Sequence, residues 1–134
     1  MQNMENEMFY HKYSFEISVE KLKEGIKDSD FLVADNNCTH RLIGLKYKFN
    51  DESPIITLIC SRYEMATAKQ IAFSLGKKIY YDDLLSGLLY SKYQTGEELR
   101  HSDFFPVARL YAKYMKEKGL TCKKRPCKIF CVNG

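Results

Sequence analysis

At 134 residues, with 45% apolar side chains, three prolines and seven glycines, the chain has the makings of one ordinary globular domain, which excludes a disordered or fibrous class. Its longest apolar run, Ile55 to Cys60, is far short of the roughly 20 residues a bilayer-crossing helix needs, so no membrane span is expected. A net charge of +4 is too mild for a dedicated nucleic-acid binder, while an odd count of five cysteines and the acidic start M-Q-N-M-E-N-E-M predict reduced thiols and a cytoplasmic location.

From Phe9 to Ile17 the odd positions Phe9, His11, Tyr13, Phe15 and Ile17 alternate with Lys12, Ser14 and Glu16, the period of a half-buried strand. Ser18 is placed to cap a short amphipathic helix that carries Val19, Leu22 and Ile26 on one face and ends near Asp28. After the polar connector Asp28-Ser29-Asp30, Phe31 to Ala34 has the brief apolar run of a buried strand, and Asp35-Asn36-Asn37 turns the chain. Arg41 to Phe49 is the clearest strand, with Ile43, Leu45, Tyr47 and Phe49 facing one way and Gly44, Lys46 and Lys48 the other.

Asn50 to Pro54 has loop composition, and the β-branched run Ile55 to Cys60 predicts a central strand covered on both faces. Met65, Ala68, Ile71, Ala72 and Leu75 repeat at helical spacing, with Gly76 where a C-terminal cap belongs and Lys77 and Lys78 complementing the helix dipole. Ile79 to Tyr81 predicts a short strand, Asp82 or Asp83 caps a helix through Leu84, Leu85, Leu88 and Leu89, and Thr95 to Glu98 breaks the chain. A last helix from about Ser102 to Lys118 turns Val107, Leu110, Tyr111, Tyr114 and Met115 inward, tolerates Pro106 near its start and stops at Gly119. The alternation predicts an α/β fold, a small mixed or mainly parallel sheet of about four strands flanked by helices, preceded by an N-terminal strand-helix extension over 1–28 and followed by a basic, cysteine-containing tail over 119–134.

The tetrapeptide Asn37-Cys38-Thr39-His40, followed by a strand ending in Lys46-Tyr47, resembles the Asn-Pro-Thr-His signature of the cytosolic domain of the FlhB and YscU family, the export-switch proteins of bacterial flagella and type III secretion injectisomes. The resemblance runs in order over roughly residues 29 to 118. Phe31 to Ala34 matches the strand before the signature, Ser53-Pro54-Ile55-Ile56 the entry to the next strand, and Met65 to Leu75 a helix of the same position and length. Leu85, Leu88, Leu89 and Tyr90 match the Leu-Ala-Arg-Ala-Leu-Tyr segment, and Gly96-Glu97-Glu98-Leu99 its following turn. It implies a domain at the cytosolic mouth of an export gate that helps change which substrates are admitted, with export-gate proteins and a ruler protein as partners, and self-cleavage after Asn37. Three departures are visible: Cys38 replaces the proline, Gly87 replaces the arginine of the later motif, and the membrane-spanning half of the family has no counterpart in the sequence. A divergent adaptor that kept the fold and lost both cleavage and switching is the alternative.

In such a cut the Asn37 side-chain amide nitrogen attacks the residue's own carbonyl carbon, forms a succinimide and expels the amine of Cys38; positioning in a tight turn is worth roughly 7 to 11 kcal/mol of the barrier. His40 is a candidate to protonate the leaving amine or orient the turn, and Thr39 to hydrogen-bond the oxyanion. Cys38 gives up the fixed φ of proline and loosens the turn, yet an Asn-Cys junction is also the one inteins use, where the thiol takes over the acyl group. Read without the surrounding resemblance, Asn37 is a turn former and His40 a hydrogen-bonded strand residue.

Elsewhere the signals are structural. Cys122, Cys127 and Cys131, spaced C-x4-C-x3-C, lack the paired close spacings of a zinc signature and have no fourth ligand unless His101 or another distant group joins them, so no metal is expected. The ten tyrosines and eight phenylalanines fall mostly on apolar faces, so core packing explains them better than nucleic-acid stacking. No phosphate loop or Ser-His-Asp register is present, and Asp82-Asp83 is a cap rather than an acid-base pair. No cofactor or small-molecule substrate is expected, and activity is at most a single-turnover self-cleavage.

Overall fold

The computed structural model describes residues 19–48 and 52–119. Four strands, β1 (Phe31–Ala34), β2 (Leu42–Lys46), β3 (Ile55–Cys60) and β4 (Ile79–Tyr81), form one sheet in the order β3-β2-β1-β4. β2 is antiparallel to both β1 and β3, and β4 is parallel to β1, so the sheet is mixed. Helices α1 (19–28), α2 (Met65–Ser74), α3 (Asp83–Lys92) and α4 (Phe104–Glu117) complete an α/β domain among the described residues. The expected strand from Phe9 to Ile17 and the tail bearing Cys122, Cys127 and Cys131 lie outside them.

Period-two alternation along the strands builds two cores, one on each face of the sheet. Phe31, Val33, Ile43 and Leu45 pack with Leu85, Leu89, Val107, Ala108 and Tyr111 of α3 and α4. Leu32, Ala34 and Leu42 point the opposite way and pack with Leu22 and Ile26 of α1 and Met65, Ala68 and Ala72 of α2. Residues 19–28 thus contribute two fully enclosed side chains to the domain core.

β3 departs from the expected central strand. Among the described residues it lies at one edge of the sheet, and a bulge shifts its register on β2, pairing Gly44 with Leu58 but Leu45 with Ile56. The extra residue, Thr57, reverses the alternation: Ile56 joins the α3/α4 core, whereas Leu58 and Cys60 join the α1/α2 core. The start of this edge is covered by the chain break read at Thr95 to Glu98, where Ile56 N–H donates to the Glu97 carbonyl at 2.9 Å and Gly96 N–H to the Ile56 carbonyl at 2.7 Å.

Local chemistry ends the elements where it was expected to, with two exceptions. Gly76 at φ +67° closes α2, its N–H on the Phe73 carbonyl and that of Lys77 on the Ala72 carbonyl, the paired bonds of a Schellman cap. Asp82 caps α3 by accepting the Leu85 N–H at 3.0 Å. Leu75 and Leu84, though in helical register with apolar neighbours, turn to solvent, Leu84 at 88% exposure. β2 is shorter than its alternation, because aspartates take the N–H groups at both ends: Asp35 that of Arg41 and Asp30 that of Tyr47.

Candidate functional site

The loop from Asp35 to Arg41 joins β1 to β2 as an antiparallel hairpin, with Ala34 opposite Leu42. Its tip is a tight turn: Cys38 N–H donates to the Asp35 carbonyl at 2.8 Å across Asn36 and Asn37. Cys38 then adopts φ +52°, the sole positive φ of a non-glycine residue among those described. That conformation, which costs an L-residue roughly 1–2 kcal/mol, is closed to proline, whose ring fixes φ near −65°.

Asp35 holds the rest of the loop. Its buried carboxylate accepts the N–H groups of His40 and Arg41 at 3.0 Å and of Thr39 at 3.2 Å, and the Thr39 hydroxyl at 3.3 Å. Burial by itself would raise this carboxyl, but the N–H groups of Arg41, His40 and Thr39 outweigh it and hold Asp35 well below the usual carboxylate range. A carboxylate so placed behaves as a fixed acceptor of the backbone rather than a proton donor.

The hairpin is also clamped to the start of α3. Asn36 donates its backbone N–H and its Nδ2 to the two oxygens of Asp83, at 2.7 and 2.9 Å. Arg41 reaches the same helix, with Nε 3.4 Å from Ser86 Oγ, and its guanidinium lies beside Gly87, where an added Cβ would stand 3.8 Å away.

The four residues singled out in the sequence are consecutive in this loop but differ in environment. Asn37 is exposed, and its side chain has no hydrogen-bond partner among the described residues. Thr39 Oγ1 and His40 Nδ1 are 2.8 Å apart at the surface, and His40 Nδ1 is 3.5 Å from Asp35 Oδ2. His40 stands in the loop before β2 rather than in the strand. Cys38 turns inward, 3% exposed, into the α1/α2 core with Leu42, Cys60 and Met65. Burial pushes its thiol up, with the Asp35 charge adding to this and Lys69 opposing it; the Cys60 thiol is pushed up to about 12 by burial and by Glu64. Neither is an activated nucleophile. The sequence reading missed Asp35 and Asp83 as the residues that hold the loop; the available signal was an aspartate heading a turn, four to six residues before the N–H groups it accepts.

Among the described residues no group of three His, Cys, Asp or Glu is placed to hold a metal ion, and no helix is long and apolar enough to cross a membrane. No protein-family model and no curated protein matches the sequence. Solved structures do. The chain is similar to the C-terminal domain of EscU carrying an asparagine-to-aspartate substitution, at 26% identity and TM-score 0.67 over 74% of this chain and 90% of that one. It is similar to the same domain with a proline-to-alanine substitution at 25% identity and TM-score 0.63, over 69% of this chain and 90% of that one. The cytoplasmic domain of FlhB from Shewanella putrefaciens matches in fold alone, at 16% identity and TM-score 0.66, over 83% of this chain and 88% of that one. The chain has the fold of the cytoplasmic domain of the FlhB/YscU family.

Proposed function

We propose that this chain is a type III secretion or flagellar export-switch domain, with a body over about residues 29–118 completed by α1, that acts at the cytoplasmic side of the export gate through contacts with gate proteins and a ruler protein, and that its β1–β2 hairpin is cut once after Asn37. The observation that carries the reading is the hairpin itself: Asn37-Cys38-Thr39-His40 forms the turn between two neighbouring strands of a domain with the EscU and FlhB fold, with Asn37, Thr39 and His40 exposed.

In the cut, Asn37 Nδ2 forms a bond to its own main-chain carbonyl carbon while the bond from that carbon to Cys38 N breaks. Nδ2 gives up a proton, Cys38 N takes one and leaves as an amine, and water later opens the succinimide. Three features of the loop favour this route. The Asn37 amide is tied to no other described group, so it is free to rotate onto the carbonyl. Cys38 N–H already rests on the Asp35 carbonyl, and the Thr39–His40 pair stands just beyond the junction as a proton source. The thiol route borrowed from inteins loses support, because the Cys38 side chain is enclosed and its thiolate disfavoured.

A second reading, the non-cleaving adaptor, is favoured by the same cysteine. A side chain plugged into the core at φ +52° pins the junction in one conformation, where proline would impose another. Mass spectrometry of the purified full chain under denaturing conditions separates the two. Two fragments joined end to end after Asn37, absent in Asn37→Ala, support the cut; one intact mass after prolonged incubation supports the adaptor. Capture of export-gate components by both the wild type and Asn37→Ala is expected under either reading, and failure of both to bind sinks the export assignment itself.

A further inference from the structure

β4 is the second edge of the sheet among the described residues, and with them it uses its backbone on one side only. Leu32 N–H donates to the Lys78 carbonyl at 2.9 Å and Asp82 N–H to the Ala34 carbonyl at 2.8 Å. With Leu32 opposite Ile79 and Ala34 opposite Tyr81, this parallel ladder turns the N–H and C=O groups of Ile79 and Tyr81 away from β1. No described residue hydrogen-bonds to these four groups. β3 differs, since the Gly96–Leu99 segment covers the start of its outer edge.

Beside this edge runs a groove of about 600 Å³ between α2 and β4, lined by Lys69, Gln70, Phe73 and Tyr81 together with Lys77 and Lys78. Phe73, 88% exposed, also borders an adjoining hollow with Tyr114, Glu117 and Lys118. Among the residues lining the two hollows, Lys77 Nζ is held by the Ser29 carbonyl at 2.7 Å and Lys78 pairs at 3.5 Å with Glu117, the one acid of the lining, so the surplus positive charge rests on Lys69 and Lys118. Lysines flanking a bare edge repel a second copy of the same edge and attract an acidic strand. An exposed aromatic at the centre of the lining supplies an apolar anchor.

We propose that the β4 edge takes an extended acidic segment of a partner protein as a fifth strand. Its backbone pairs with Ile79 and Tyr81, a carboxylate meets Lys69, and an apolar side chain packs on Phe73. This site is remote in sequence from the hairpin and goes beyond the export-switch reading, since it works the same way whether or not Asn37 is cut.

The test is a titration of the isotopically labelled full chain with an end-blocked peptide of alternating aspartate and valine, followed by amide shifts and hydrogen exchange, with a lysine–valine peptide as control. The expected result is shifts centred on Ile79 and Tyr81, slowed exchange at those two amides on binding, and affinity that falls with salt. Tyr81→Pro removes an outward N–H without touching the ladder to β1, and should abolish binding. Lys69→Glu, at an exposed helix position, should weaken it about tenfold. Equal binding of the lysine–valine peptide, no binding of the acidic one, or unchanged binding by folded Tyr81→Pro and Lys69→Glu overturns the proposal. So does protection of the two amides in the peptide-free monomer, which would assign the edge to another segment of this chain, or protection that rises with protein concentration, which would assign it to a second copy.

Discussion

The two faces of the sheet are secured by different means. On the α3/α4 face the core is aromatic, and its three buried tyrosines each tie a hydroxyl to a carboxylate: Tyr111 to Asp30 at 2.8 Å, Tyr93 to Asp103 at 2.6 Å and Tyr80 to Glu117 at 2.6 Å. On the α1/α2 face the helices lay small side chains, Ala68 and Ala72, against Ala34, and the hairpin loop inserts Cys38 beside Cys60. Rings with polar tips fill wide spaces while keeping their hydroxyls paired, so one face is bolted by hydrogen bonds. Small residues allow close approach, so the other is held by fit and is where the loop can anchor. The candidate site belongs to the face held by fit, but its backbone is ordered by a carboxylate of the kind that dominates the other.

The sharpest break in that contrast is at Asp35. Replacing it with Ala strips acceptors from three backbone N–H groups, and a loss of about 3 kcal/mol in denaturant unfolding is expected. Its folded-state pKa is depressed, so the stabilisation is complete above the unfolded value near about 3.9 and drains as pH falls from there toward the folded value. Asp35→Asn should accordingly flatten the acid limb of a stability-against-pH curve; an unchanged limb would show that the loop does not depend on this charge.

Gly44→Ala probes the fitted face next. A Cβ there would land on the hydroxyls of Ser29 and Thr57, which are themselves 2.6 Å apart, and overpacking of this kind costs about 2 kcal/mol. Thermal unfolding that stayed at the wild-type temperature would mean the face is looser than the contacts imply.

Tyr111→Phe tests the bolted face and should cost about 1 kcal/mol, since Asp30 keeps its bond from the Tyr47 N–H. Burial and the Asp30 charge raise the Tyr111 hydroxyl, so its contribution is present below the ordinary tyrosine value near about 10 and is lost as pH rises. The variant should therefore lose less stability between neutral and alkaline pH than the wild type.

The smallest perturbation is chemical. In the folded protein Cys38 and Cys60 should react with a thiol reagent far more slowly than in denaturant, at rates set by opening of the α1/α2 face. Rapid labelling of Cys38 in the native state would return the thiol to the list of nucleophiles at the junction.

Much of this molecule was legible in the order of its residues. Alternation identified β2, the Gly76 stop and the Asp82 cap were readable as punctuation, and the turn at Asn37 stood out because polar turn formers separate two apolar strands. Those features are local, decided by side-chain sterics and hydrogen bonds within a few residues of chain. The rank of the strands was not legible. Ile55–Cys60 has the composition of a central strand, yet among the described residues it lies at the edge, and its apolar side chains are used up by the bulge at Thr57, which sends Ile56 to one helical face and Leu58 and Cys60 to the other.

What the sequence by itself determined, then, is the set of elements and the residues offered at the hairpin tip, because spacing and turn chemistry act along the chain. Only the tertiary structure decided that Cys38 points into the core, that Asp35 gathers three backbone N–H groups, that Asp83 from a distant helix clamps Asn36, and that β4 pairs on one side only among the described residues. Each of those depends on packing or on pairing between segments tens of residues apart, and a pattern of residue types does not say which segments meet.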